Sequence, residues 1–173
     1  MPNSTAFAIV DESSGGGGGG CSGCTVMFVD TSSGTIYDQL TPGNAGTYSS
    51  VAFSPDGRRM AVGADGEVLV VNTTNKITLR ALSAGSQNFN AVDISPDGTL
   101  VAGCSAAWGS GSQLRIWNID TGGSVMSKTG STSCYDVEFS PDGTQIAFAL
   151  GWYGADGATT HIYQVSNGNA VDS

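Results

Sequence analysis

Val51-Ala52-Phe53-Ser54-Pro55-Asp56-Gly57-Arg58-Arg59-Met60-Ala61-Val62-Gly63 is the stretch from which the fold is read. It sets two apolar, strand-like runs on either side of the tetrapeptide Ser-Pro-Asp-Gly. The same tetrapeptide returns at Ser95 to Gly98 and at Ser140 to Gly143, each time between runs of the same kind. Its chemistry is that of a hairpin turn. Proline presets φ, Asp accepts bonds from nearby amides, and Gly takes positive φ without steric cost. The most conspicuous motif in the chain is therefore read as turn chemistry and not as a functional signature.

Working outward from the three turns gives a repeating unit. An alternating run precedes each turn: 48–53, 89–94 and 134–139, the a strands. A more continuous apolar run follows it, at 59–63, 100–104 and 145–149; these b strands suit burial on both faces. The c strands, 68–72, 114–118 and 161–165, end at clusters of Gly, Asn or Thr that read as turns. Lys76 to Leu82 and Ser124 to Lys128 are more polar and fit outer d strands facing water. A strand-rich unit recurring every roughly 40 to 45 residues predicts an all-β chain, a β-propeller of about four four-stranded antiparallel blades.

One domain over 1–173 is expected, with blades near 1–41, 47–82, 88–128 and 133–173. Met1-Pro2-Asn3-Ser4 aligns with the turn, so Thr5 to Val10, Thr25 to Val29 and Gly34 to Leu40 are the b, c and d strands of a first blade lacking its a strand. At the far end Asn169 to Ser173 is a short candidate d strand. An open arc of four blades leaves apolar end faces in water, larger than a monomer typically exposes. Three arrangements would cover them: a longer propeller of which this is a fragment, two copies completing one ring as a homodimer, or a partner adding strands.

The pattern Val-Ala-Phe-Ser-Pro-Asp-Gly, then a b strand, then Leu114-Arg115-Ile116-Trp117-Asn118 resembles WD40 repeats over nearly the whole chain. TolB-like repeats, also rich in Phe-Ser-Pro-Asp-Gly, are similar, and either resemblance implies a propeller. Trp117-Asn118 stands where the WD40 pattern has Trp-Asp, and no Gly-His pair precedes any a strand, so the repeats are degenerate. His161, the single histidine, lies in a c strand, and the Asp-His-Ser-Trp relay of well-formed WD40 blades has no place here.

Composition narrows the function classes. Fifteen acidic against six basic residues give a formal charge of −9, which disfavours nucleic acid and anionic membranes as partners. The apolar runs are far too short for membrane insertion. No basic segment leading into an apolar one opens the chain, so no signal peptide is visible. Low lysine with abundant Gly, Ser and Thr leans to an extracellular or periplasmic address, which is otherwise open.

Four cysteines, Cys21, Cys24, Cys104 and Cys134, allow several readings. Cys21 and Cys24 form a C-x-x-C pair after six glycines, open to a small disulfide or half a metal site and poorly placed for redox chemistry, which favours a helix N-terminus. Haem attachment is excluded, because Thr25 follows Cys24. Cys104 ends a b strand and Cys134 begins the next a strand, so they form a disulfide between blades, stay two buried thiols, or approach Cys21 and Cys24 in a four-cysteine zinc site. No cofactor or metal is called for.

The loops joining b to c are the candidate binding surface. In the second blade Ala64-Asp65-Gly66-Glu67 shows how little the connection needs, whereas the other three are expanded. They hold the Gly15 to Gly20 run, Trp108, and the group Trp152, Tyr153 and Asp156. Aromatic side chains on loops of a rigid scaffold suit binding. Enzymatic activity finds no support. There is no Gly-x-Ser-x-Gly elbow, His161 lacks a nucleophile turn, and the pairs Asp11 with Glu12 and Asp136 with Glu138 need convergence that spacing alone does not give. The expectation is a non-catalytic protein-binding scaffold. Its alternatives are a subunit self-assembling through blade edges and a binder of small ligands or carbohydrate.

Overall fold

A computed structural model describes residues 6–11, 25–41, 48–105, 111–130, 132–151 and 159–172, the side chains of 6–11, 84, 86, 87 and 172 excepted. Every element in it is a strand: β1 (Ala6–Asp11), β2 (Thr25–Asp30), β3 (Ile36–Leu40), β4 (Tyr48–Phe53), β5 (Arg59–Asn72), β6 (Thr78–Ile94), β7 (Leu100–Ser105), β8 (Ser112–Asn118), β9 (Ser124–Gly130), β10 (Ser133–Phe139), β11 (Gln145–Gly151), β12 (Thr159–Gln164) and β13 (Ala170–Asp172). All pairings are antiparallel between chain neighbours, in sheets β1-β2-β3, β4 through β9, and β10 through β13. The chain is a partial β-propeller.

The six-stranded sheet is two blades sharing a strand. β5 runs through both the b and c segments of the second blade, turning at Gly66, whose φ is +77°. β6 pairs with β5 from Thr78 to Ser83 and with β7 from Phe89 to Ile94, so one strand is the outer edge of the second blade and the inner edge of the third. The sequence reads two strands in each case. The difference arises because Asp65 pairs with Asn88, a contact between segments 23 positions apart that local pattern does not encode.

Cores lie between successive blades. Val26 and Phe28 of the first blade pack with Met60, Val62, Leu69 and Val71 of the second. Ala61 and Val70 turn the other way, into a cluster with Val92, Val101 and Trp117 of the third. Ala102, Cys104 and Ile116 in turn face Ile146, Phe148 and Leu150 of the fourth. The second and third blades thus turn small and branched residues, Ala61 with Val70 and Ala102 with Ile116, to the blade that follows, which fills the space with larger ones such as Trp117 and Phe148.

The turns between c and d tie each blade to the one before. Gly34, Gly122 and Gly168 hold the same turn position with φ of 69°, 73° and 68°; in the second blade that position is Lys76, φ 62°, the one non-glycine residue with positive φ among those described. Its ammonium reaches back to Asp38 at 3.3 Å and sits 3.6 Å from the centroid of the Phe28 ring. A left-handed backbone costs a non-glycine residue about 1–2 kcal/mol, while a surface ion pair and a cation–π contact return about 0.5–1 kcal/mol each. Lys76→Ala keeps the strain and loses both contacts, whereas Lys76→Gly loses both and relieves the strain. Denaturant melts are expected to rank Lys76→Ala below Lys76→Gly by about 1–2 kcal/mol. The reverse order would mean that the turn is not held in this conformation.

Candidate functional site

The Ser-Pro-Asp-Gly turns are built three times to one plan. Ser54 Oγ donates to Asp56 Oδ1 at 2.7 Å, the Arg58 amide donates to the same carboxylate oxygen at 3.0 Å, and the Arg59 amide donates to Ser54 Oγ at 2.9 Å. Ser95 with Asp97 and Ser140 with Asp142 repeat the hydroxyl-to-carboxylate bond at 2.6 Å, and the amide bonds recur at 3.0 Å to the carboxylate and 2.9 Å to the serine Oγ. Each turn also closes a Gly N–H to Ser carbonyl bond at 2.8 Å. The polar groups of the motif are used within the turn, as the sequence reading expects.

Those bonds move the carboxyl groups. The Ser140 hydroxyl, then the Thr144 amide, hold Asp142 down to about 2. Asp56 and Asp97 are also held below the usual carboxylate range, the first chiefly by the Arg58 amide and the second by the Ser95 hydroxyl. In the c–d turn of the first blade the Ser32 hydroxyl does the same to Asp30, again to about 2. Folded values below the unfolded value of about 3.9 mean that these groups stabilise the fold fully above that pH. Their contribution is lost as pH falls through about 4 towards 2. Acid titration of the melting midpoint is expected to drop in that window, and Asp142→Asn to show a slope shallower by up to about one proton. An unchanged slope would mean the turn bonds are not made to the ionised carboxyl.

Between the turns of the second and third blades lies a cleft of about 660 Å³, with Pro55, Leu79 and Pro96 on its walls. Arg59 pairs with Asp120 across it at 2.8 Å, and Arg80 donates to the Asp120 carbonyl. Arg58 stands at the rim, 3.9 Å from Asp56. Every carboxylate here is already engaged by its own turn or by Arg59. The cleft works as an ion-paired brace between blades and holds no free acid–base pair.

The inner a strands carry a second repeated device. Register slips by one residue between Tyr48 and Ser50, between Phe89 and Ala91, and between Cys134 and Asp136. The extra residues are Ser49, Asn90 and Tyr135. A bulge re-aims its side chain, and here it points two of them at the next blade: Ser49 Oγ donates to the Phe89 carbonyl, and Asn90 Nδ2 donates to the Cys134 carbonyl at 3.1 Å. Two further bonds cross the same gaps. The Val92 amide donates to Ser50 Oγ at 3.3 Å, and the Phe139 amide to Asp93 Oδ2 at 2.7 Å. Burial pushes the Asp93 carboxyl up against the pull of its amide bonds, and Glu138 and Asp136 add to the rise. Neither bulges nor bridging bonds are visible in the sequence, because each depends on which strand lies alongside.

The Sγ atoms of Cys104 and Cys134 are bonded, with Cα atoms 5.8 Å apart and both residues fully buried. Of the readings the sequence left open for this pair, disulfide, buried thiols or zinc ligands, the structure has the disulfide. His161 stacks on Phe148 and Tyr163, with centroids 5.5 and 6.4 Å away, so its ring is a packing element. Asp136 Oδ1 accepts the Val137 amide at 2.9 Å. No group of three His, Cys, Asp or Glu among the described residues is arranged to hold a metal ion. Trp108, Trp152, Tyr153, Asp156, Cys21 and Cys24 lie outside the described residues, as does Glu12. What is described of their loops is the strand ends that carry them: Asp11 and Thr25, Ser105 and Ser112, Gly151 and Thr159.

Comparison with known proteins agrees with this geometry. The family model described as WD domain, G-beta repeat matches residues 38–72 and 77–118. An uncharacterized WD repeat-containing protein of Synechocystis is 30% identical over 67% of this chain and 32% of its own length. Subunit I of eukaryotic translation initiation factor 3 from Aspergillus terreus is 29% identical over 77% of this chain and 40% of its own length. The chain thus spans well under half the length of these relatives. Among solved structures, hydrazine synthase of Kuenenia stuttgartiensis superposes with a TM-score of 0.74 over 86% of this chain and 42% of that one; at 21% identity it speaks for the fold alone.

Proposed function

The chain carries WD40 repeats, and from that premise we propose that it is a non-catalytic scaffold that binds a protein partner through the b–c loop face. WD40 repeats generally mediate protein–protein interaction, and the family is generally non-catalytic. The observation that carries the choice of face is the state of the opposite end. There the Ser and Asp side chains of all three a–b turns are taken up by the turn itself, and the cleft beside them is spanned by Arg59 and Asp120. That end has little left to offer a partner. The b–c end carries the three expanded connections, with Trp108, Trp152, Tyr153 and Asp156 as the residues proposed to make contact.

The test replaces residues 106–111 and 152–158 with the Ala-Asp-Gly-Glu connection of the second blade. Affinity capture with the immobilised wild-type chain is expected to retain protein partners that this variant loses, at a melting midpoint within a few degrees of wild type. Identical captured sets would overturn the loop-face reading.

A further inference from the structure

The outer strand of every blade is interrupted at one and the same position. In the first blade Phe28 pairs with Asp38 and Val29 with Ile36, which leaves Tyr37 as the extra residue between them. In the second, Val70 pairs with Arg80 and Val71 with Thr78, and the extra residue is Leu79. In the third, Ile116 pairs with Met126 and Trp117 with Ser124, around Val125. In the fourth, Ile162 pairs with Asp172 and Tyr163 with Ala170, around Val171. Each extra residue follows at a constant offset the turn residue of positive φ, which is Gly34, Lys76, Gly122 or Gly168. The bulge is a built part of the repeat, as regular as the Ser-Pro-Asp-Gly turn.

All four extra residues are large and apolar, and Tyr37, Leu79, Val125 and Val171 are exposed at 55%, 38%, 46% and 42%. Side chains of this type on a flat outer strand favour pairing with a further strand, because the outward N–H and C=O groups already stand in line. Here they stand where the line is broken. A bulge leaves its extra residue out of the ladder and increases the local twist, so an incoming strand loses register across it. The regular edge that remains is short and carries charge. It runs from Asp38 to Leu40 in the first blade and from Arg80 to Ser83 in the second. In the third it runs from Met126 to Gly130 and holds Lys128, and a lysine on an edge opposes pairing. The second and third blades, each flanked by a blade on either side, carry the bulge just as the outer two do.

We propose that these four bulges are edge guards, which keep the outer strands from pairing with an outer strand of another molecule. The blade perimeter is then closed both to strand addition and to the assembly through blade edges that the sequence leaves as an alternative. The guards lie in β3, β6, β9 and β13 and not in the b–c connections, so the proposal and the loop-face reading fail independently.

Deletion of Val125 is the test. The pairs on either side of it, Trp117 with Ser124 and Ile116 with Met126, keep their partners when it is removed, so the deletion gives one unbroken edge from Ser124 to Gly130 and leaves Met126 in the core. Light scattering from about 5 to 200 µM is expected to show this variant associating from a concentration at least about tenfold lower than any at which wild type does. Deuterium uptake by Ser124 to Gly130 is expected to fall as the variant associates, and in wild type to be the same at both ends of the range. Val125→Ser keeps the bulge without the apolar side chain and is expected to behave as wild type. Deletion of Leu79 repeats the test in the second blade, for the case in which loss of Val125 lowers the melting midpoint. If neither deletion variant folds, wild-type uptake decides: protection of Thr78 to Ser83 or Ser124 to Gly130 that grows with concentration overturns the proposal, and uptake independent of concentration upholds it. Association no stronger than wild type in a folded deletion variant, or as strong in Val125→Ser as in the deletion, would also overturn it.

Discussion

Replacing both Cys104 and Cys134 by alanine is expected to cost about 3–4 kcal/mol of stability and to lower the melting midpoint by roughly 7–14 °C. The bond joins residues 30 apart in sequence, and restricting a loop of that length in the unfolded chain accounts for about 3.6 kcal/mol in the loop-closure description. Its position adds to the effect. Cys104 closes the b strand of the third blade and Cys134 opens the a strand of the fourth, so the bond staples two sheets otherwise joined by side-chain packing and by the bonds from Asn90 and Asp93. Alanine, and not serine, is the right replacement, because both sites are fully buried and a hydroxyl there would need a partner. Wild type in excess reductant is expected to melt with the double variant. A double variant within about 1 kcal/mol of wild type would show that the fourth blade is held without the bond. A disulfide of this kind persists in oxidising compartments and is lost in reducing ones.

How far the chain could be read before folding follows from the range of the interactions involved. The Ser-Pro-Asp-Gly turns were legible because their bonds span at most five residues, from Ser54 Oγ to the Arg59 amide and its equivalents. Strand positions were legible because alternation is local. The merging of strands into β5 and β6 was not, since it needs Asp65 beside Asn88. Nor was the role of Lys76, whose sequence neighbours give no hint that Asp38 and Phe28 will receive its ammonium. For Cys104 and Cys134 the repeat alignment brought the two to one junction, yet a thiol pair and a disulfide share that alignment; only three-dimensional placement separates them. The expected binding residues of the b–c loops came from contrast with Ala64 to Glu67, and that contrast carries no geometry.

Phe89→Ala is expected to be the most damaging single core truncation, at about 3–5 kcal/mol. Phe89 is fully buried where the second and third blades meet and packs edge-on to Trp117 with centroids 5.8 Å apart. The surrounding backbone is shaped around it. A Cβ on Gly103 would lie 2.8 Å from Phe89 Cδ1 and 2.7 Å from Val68 Cγ2, and a Cβ on Gly63 would lie 2.6 Å from the Phe89 carbonyl oxygen. Both glycines are therefore close-approach positions, one under the ring and one under the backbone. Gly103→Ala in the wild-type background overpacks the junction and is expected to cost about 1–3 kcal/mol. With the ring removed, one of the two crowding contacts disappears and the added methyl enters the space the ring has left. The double variant should consequently be more stable than the sum of the singles implies, by about 1 kcal/mol or more in a double-mutant cycle. Gly63→Ala offers the contrast: its crowding is with a main-chain carbonyl that Phe89→Ala leaves in place, so that pair should combine additively within about 0.5 kcal/mol. Coupling at Gly63 as large as at Gly103 would mean that loss of the ring moves the β6 backbone, and that the junction is held by the aromatic core and not by the bulge bond from Ser49 to the Phe89 carbonyl.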